Sequence, residues 1–413
     1  MTFADPTHNQ AAAPAKPAVA AAPARVRDLR LDFFRGIAMF IILMAHTPRN
    51  FFTSWIPARW GFSDATEIFV FCSGMASAIA FGKAFELAGW RMGTARVSFR
   101  VWQVYWAHVG LFFATLALVS FLTSLDLTSR NYIGQLNLWR FYAEVDTGTV
   151  SDLIVRFMTL RYVPNYFDIL PMYMVVLVLM PVVMALARVN LWLVAAFIGG
   201  TWLLGQRAIA EATGLPHLAL PADPSSDRTW FFNPFGWQLI FFTGFAFMKG
   251  WIPKPPVTPL LIGIALFLVL ANIPLSNIGV REFGFDWARD WRKENTEWIT
   301  KSDFGILRYV HFLALAYLAW VLAGDKGNNL LPGSGALGRV WARLLKIILK
   351  VGQQSLAVFV VSMFTARLMG FVMDVLGRDA LTVVAVNFGG ACVLVATAYL
   401  AGWYKSSPWK PKK

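Results

Sequence analysis

Ten near-continuous apolar stretches divide this chain, with cores at about 33–52, 67–85, 100–124, 168–187, 191–206, 234–251, 257–275, 304–323, 347–370 and 380–403. Such runs, about 17 to 25 residues long, can cross roughly 30 Å of hydrocarbon as helices. In lipid a backbone must satisfy its own hydrogen bonds, which restricts a chain patterned this way to helices through the bilayer. The composition agrees, with 57% of residues hydrophobic, 15% charged and a mean hydropathy of +0.54. The expected fold is all-α: a polytopic integral membrane protein of about ten transmembrane helices, with the lipid bilayer as its partner. A disordered chain, a collagen-like fibre, a disulfide scaffold and an ordinary soluble enzyme are excluded.

Charge placement predicts the orientation. Residues 10–26, QAAAPAKPAVAAAPARV, carry prolines that prevent a stable helix, so residues 1–27 are expected as a disordered Ala/Pro-rich tail. No secretory-type apolar run precedes Leu31, which places that tail in the cytoplasm. On this topology the inner segments hold 20 Lys/Arg against Asp5, Asp28, Glu86 and Asp325, and the outer ones hold 14 Lys/Arg and 18 acids. Orientation follows the Lys/Arg bias of short loops, so both termini are expected to be cytoplasmic. The basic tail at 405–413, KSSPWKPKK, agrees. The membrane domain then spans 28–404. Topology accounts for the net charge of +14, so no nucleic-acid partner is expected. Cys72 and Cys392 both lie in apolar blocks and read as packing residues.

The long outer segments, 125–167, 207–233 and 276–303, are rich in Trp, Tyr, Asp and Arg. REFGFDWARDWRKENTEW in the third alternates charges with aromatics, a pattern suited to an interfacial helix or to a sugar-binding rim.

Ionisable side chains inside the membrane are costly and mark function. In LDFFRGIAMFIILMAH, Arg35 and His46 are eleven residues apart. That spacing is about 20° from a whole number of turns, so both point the same way, roughly 16 Å apart along the axis. Alone, Arg35 would be a snorkelling anchor and His46 a helix contact. Together they fit a clamp for an anionic cofactor and a proton acceptor. In GFSDATEIFVFCSG, Asp64 and Glu67 open the second helix, where capping explains either, and where either could orient His46. Arg308 and His311, one turn apart in DFGILRYVHFLALAY, form a second Arg/His pair at similar depth. His108 and His217 lack such company. Asn233, Gln238, Gln353, Gln354 and Ser355 are explained by capping and interhelical hydrogen bonds.

No phosphate loop, GxGxxG, HExxH, CxxC or GxSxG occurs, and no metal is expected.

RDLRLDFFRGIAMFIILMAH and GFSDATEIFVFCSGMASAIAFG resemble the OpgC family of membrane proteins, which is related to the acyltransferase 3 group. The resemblance continues through DILPMYMVVLVLMP, FFNPFGWQLIFFTGF, LRYVHFLALAY and GQQSLAVF, over about 28–370. It implies an acyl-CoA-dependent O-acyltransferase of the bacterial inner membrane, moving a succinyl group from cytoplasmic succinyl-CoA to hydroxyls of osmoregulated periplasmic glucans. Arg35 would belong to the donor site and His46 to the reacting centre as general base. Asp64 or Glu67 would balance the imidazolium, and Arg308 would hold the succinyl carboxylate or the oxyanion, with His311 in the same polar interior. Another acyl group or glycan fits the same residues. A secondary transporter or glycan flippase is the competing class, since intramembrane Arg and His also build substrate paths.

Overall fold

The computed structural model describes residues 28–142, 149–223 and 226–410, so the expected tail at 1–27 lies outside the described residues. The longer helices are α1 (Leu29–His46), α2 (Ala65–Leu87), α3 (Gly89–Ser124), α4 (Ile169–Val189), α5 (Leu191–Leu204), α6 (Pro234–Lys249), α7 (Pro259–Leu275), α8 (Ile306–Ala323), α9 (Gly335–Gln353), α10 (Ser355–Leu376) and α11 (Ala380–Lys405). Among the described residues the fold is otherwise loops and short helical turns, with one isolated antiparallel bridge between Pro221 and Thr229.

The expected apolar cores fall on these helices, except that 33–52 runs past the end of α1 and 347–370 is divided between two of them. Seven helices are long and apolar enough to cross a membrane, and eight if the pair α5 and Arg207–Thr213, bent by 81°, is one span. Two others are central. α1 has 18 residues but carries Arg30, Asp32 and Arg35, and α6 has only 16 residues. The ninth stretch, read as one helix from 347, breaks at Gln354, whose φ and ψ of −107° and 28° leave the helical region. The amphipathic α9, with Arg339, Arg343, Lys346 and Lys350, is therefore separate from the apolar α10.

Local chemistry sets the helix starts. Asp28 caps α1 through Arg30 N at 3.0 Å. Asp64 and Glu67 form a reciprocal capping box on α2. Asn233 caps α6 ahead of Pro234, a residue suited to the first helical position. The segment at 276–303 contains a short amphipathic helix, Asp286–Glu294, whose Trp291 stacks on Phe62 at 6.2 Å.

Small residues let the central helices approach closely. A Cβ on Gly74 of α2 would strike the Phe241 carbonyl of α6, and one on Gly244 of α6 would strike the Phe71 carbonyl of α2. Gly36 of α1 meets Ile348 of α9 in the same way, and Gly352 of α9 meets Asp32. α7 and α11 are peripheral: 11% and 17% of their apolar windows are buried, against 61% for α4, so their outward faces suit lipid. Cys392 on α11 is exposed on that outward side, which corrects its reading as core packing, whereas Cys72 is buried.

Candidate functional site: two cavities along one helix face

The sequence places Arg35 and His46 on one face of α1, and that face borders two cavities. The first, about 340 Å³, is lined by Arg35, Arg96 and Arg100, by Gln103 and Tyr173, and by Ser73 and Ser77 of α2. The second, about 330 Å³, is lined by His46, Thr66, Asn165, Tyr166, Asp168 and Lys301, with Phe231, Phe232, Phe359 and Met363. Phe69 borders both.

At the first cavity, Arg35 donates from Nη2 to the hydroxyl of Ser355, the first residue of α10. Its Nε is buried and has no hydrogen-bond partner. A buried guanidinium with an unspent donor is poised to bind an added anion. Arg96 and Arg100, one turn apart on α3, bring two more guanidiniums, and no carboxylate lines this cavity.

At the second cavity, His46 Nδ1 lies 2.9 Å from the Ile42 carbonyl one turn back. Arg367 of α10 donates to the His46 carbonyl at 3.0 Å, and its guanidinium covers the Tyr166 ring at 4.1 Å. That ring meets the His46 ring edge-on at 5.4 Å. Tyr166 holds a positive φ of 89°, a strained backbone for a bulky residue, fixed by its hydroxyl donating to the Met363 carbonyl at 2.5 Å. Asp168, next in the same turn, is buried and accepts from the Phe231 N–H at 3.3 Å. Burial pushes its carboxyl up to about 7.

Near-complete coverage by one family model decides the chain's relationship: the OpgC protein model matches residues 27–406. The chain belongs to the OpgC family. No curated protein and no solved structure matches it. OpgC membership points to an acyltransferase-type activity of the succinyltransferase kind, and the long apolar helices give it a membrane setting.

In this OpgC-family chain the remaining expected site residues gather beside the second cavity rather than in it. Lys301 bonds Asp64 at 2.5 Å, and Arg308 bonds Glu67 through Nη2 at 2.5 Å and Nε at 2.8 Å. Burial alone would raise the Asp64 carboxyl, but the charges of Lys301 and Arg308 outweigh it and hold it well below the usual carboxylate range. Neither Asp64 nor Glu67 hydrogen-bonds His46, so the expected orienting contact is not made, although the Asp64 charge lies close enough to act on the ring. Both carboxylates neutralise cations from the segment entering α8, and the imidazole takes a backbone carbonyl instead. Lys301, absent from the sequence reading, is the cation that borders the cavity; Arg308 does not line it.

His311 also lies outside both cavities. Its Nδ1 accepts from the Ser63 N–H at 3.3 Å and faces the Ser63 hydroxyl at 2.7 Å, and its ring fills the space that a side chain at Gly61 would need. His311 and Arg308 thus tie α8 to the turn that launches α2. His108 is buried against Phe157 at 4.9 Å, a packing role, and His217 meets the Gly205 carbonyl at 3.1 Å. Asp168, Tyr166 and Lys301 are the site residues that sequence reasoning missed. Asp168 stands in the quoted DILPMYMVV block, where a lone acid opening an apolar run was the available signal.

Proposed function

We propose that this protein transfers a succinyl group from succinyl-CoA on the cytoplasmic side to a hydroxyl of a periplasmic glucan, within a bundle of about ten spans whose termini are both cytoplasmic. The observation carrying this reading is that Arg35 and His46, on one face of α1, border two cavities that share the Phe69 wall. A donor and an acceptor approaching from opposite sides would meet along that face.

The first cavity suits the donor. Arg35, Arg96 and Arg100 match the phosphates of a coenzyme A thioester, and the unpartnered Nε of Arg35 is a donor free for an anionic oxygen. The second suits the acceptor. Phe231, Phe232 and Tyr166 offer apolar faces for a sugar ring, and Asn165 and Asp168 offer hydrogen-bonding groups for its hydroxyls.

The chemistry centres on His46. A carbonyl can only accept, so in the neutral ring the Ile42 contact puts the proton on Nδ1 and leaves the Nε2 lone pair as the base. Nε2 takes the proton of the glucose hydroxyl as its oxygen attacks the thioester carbonyl. Collapse of the tetrahedral adduct breaks the carbon–sulfur bond, and the thiolate leaves to be protonated. Lys301 supplies positive charge for the developing oxyanion or the succinyl carboxylate, the task sequence reasoning gave to Arg308.

The test is reconstitution of purified protein in vesicles with radiolabelled succinyl-CoA on one side and glucan on the other. Covalent succinylation of the glucan, lost in His46→Ala with the folded protein retained, is the expected result. Passage of unmodified substrate with no label on the glucan would replace the enzyme by a transporter.

A further inference from the structure

One residue, Phe69, lines both cavities. On α2, the residues facing them are Thr66, Phe69, Ser73, Ala76, Ser77, Ala80 and Phe81, a stripe at helical spacing. From Thr66 to Ala80 all but one are small, so that stretch reads as the floor of a channel running along the helix, with Phe81 at its far end. The exception within it is Phe69, the residue common to both cavities. Across from it, on α10, Phe359 lies one turn past Ser355, the residue that receives Arg35. The two rings stack 5.7 Å apart and 14° from parallel, and they are 7% and 3% exposed.

Resting on the acyl-transfer reading above, we propose that the Phe69–Phe359 pair is the partition the acyl group must pass, and that it sets the size of acyl chain the enzyme accepts. A short dicarboxylic acyl group needs only a small displacement of one ring. A longer or branched chain would have to hold both rings apart, breaking their stacking and the apolar packing around them. Selectivity then resides in two apolar rings at the junction of the cavities, apart from the guanidiniums of the first and the hydrogen-bonding groups of the second.

Two readouts test this. In reconstituted vesicles, Phe69→Ala is expected to raise the rate with an eight-carbon acyl-CoA, relative to succinyl-CoA, by about tenfold or more, a size familiar from pocket discrimination by a few methylenes. Phe69→Trp is expected to lower the succinyl rate. The second readout needs no catalysis. In a Cys72→Ala, Cys392→Ala background, Thr66→Cys is treated with a membrane-impermeant maleimide applied to either face of sealed vesicles. With Phe69 intact, labelling is expected from one face only; with Phe69→Ala, from both. Phe69→Leu serves as the milder variant, and detergent-extracted monodispersity selects the proteins that fold.

Labelling from both faces with Phe69 intact, or from one face only after Phe69→Ala and Phe359→Ala together, would overturn the partition. Unchanged acyl preference in a folded Phe69→Ala protein would overturn its role in selectivity. If no acyl transfer occurs in any variant while the labelling pattern switches, the acyl-transfer reading and the selectivity role resting on it fail, and the partition itself stands.

Discussion

The two cavities are nearly equal in volume, about 340 and 330 Å³, and opposite in electrostatic design. At the Arg35 end, three guanidiniums line the space with no carboxylate among them, and one buried N–H is left unspent. At the His46 end the lining cation Lys301 has its acid in Asp64, Arg308 behind it has Glu67, and Asp168 adds a carboxyl, while Arg367 lies over the Tyr166 ring. Unneutralised positive charge in an enclosed site carries a desolvation cost that an incoming anion relieves. A neutralised one leaves hydrogen bonding and aromatic contact to do the recognition, as a polyhydroxy acceptor requires. The contrast between ends is what supports the proposed assignment of donor and acceptor, independently of which side of the membrane each faces.

The sharpest way to break that contrast is at the base. His46→Ala should lower succinyl transfer by about 10²- to 10⁴-fold, the usual worth of a general base, with the KM for succinyl-CoA little changed. Equal loss in donor binding would show that the ends are not functionally distinct. The next largest effect is on stability. Glu67→Ala leaves the buried Arg308 facing only Asp64 at 3.8 Å, and should cost about 3–5 kcal/mol, read as a lower unfolding temperature in detergent. Arg35→Ala should mirror His46→Ala: a rise of about tenfold to a hundredfold in the KM for succinyl-CoA, the worth of a hydrogen bond to a charged group, with the acceptor KM unchanged.

The smallest effect sharpens the acceptor end. Asp168 is raised from its ordinary value to about 7 by burial, so its protonated form is the one the fold favours. Its contribution is complete below about pH 4, the range of a free carboxyl, and is lost as the pH rises towards and through about 7. Unfolding temperature should accordingly fall across that window, and Asp168→Asn should flatten the slope. An identical slope in the variant would exclude Asp168 as its source.

The length of each apolar block made the helices legible, because nothing shorter spans hydrocarbon and nothing but a helix satisfies its backbone there. The α9–α10 break at Gln354 was not, since a single polar pair inside a long apolar run looks the same whether the helix continues or turns. The shared face of Arg35 and His46 followed from 3.6-residue geometry alone. The partners of Asp64 and Glu67 did not follow. Lys301 and Arg308 lie more than 230 residues further on, and proximity of helix ends pointed to His46 but not to these direct ion-pair partners. Ser355 was legible as a polar residue at a helix start, but its bond to Arg35 depends on how α10 sits against α1. Phe69 was hidden by abundance: among 35 phenylalanines, only the small residues spaced around it distinguish it, and their meaning depends on what lies opposite.

Gly74 and Gly244 let α2 and α6 meet backbone to backbone, the Phe241 carbonyl filling the notch at Gly74 and the Phe71 carbonyl the notch at Gly244. A seam of that kind resists rolling and sliding alike, because either motion drives a carbonyl into the opposing main chain. If Phe69 and Phe359 form the proposed partition, the braced side is the one carrying Phe69, and the breathing that admits substrate falls to α10, which carries Phe359.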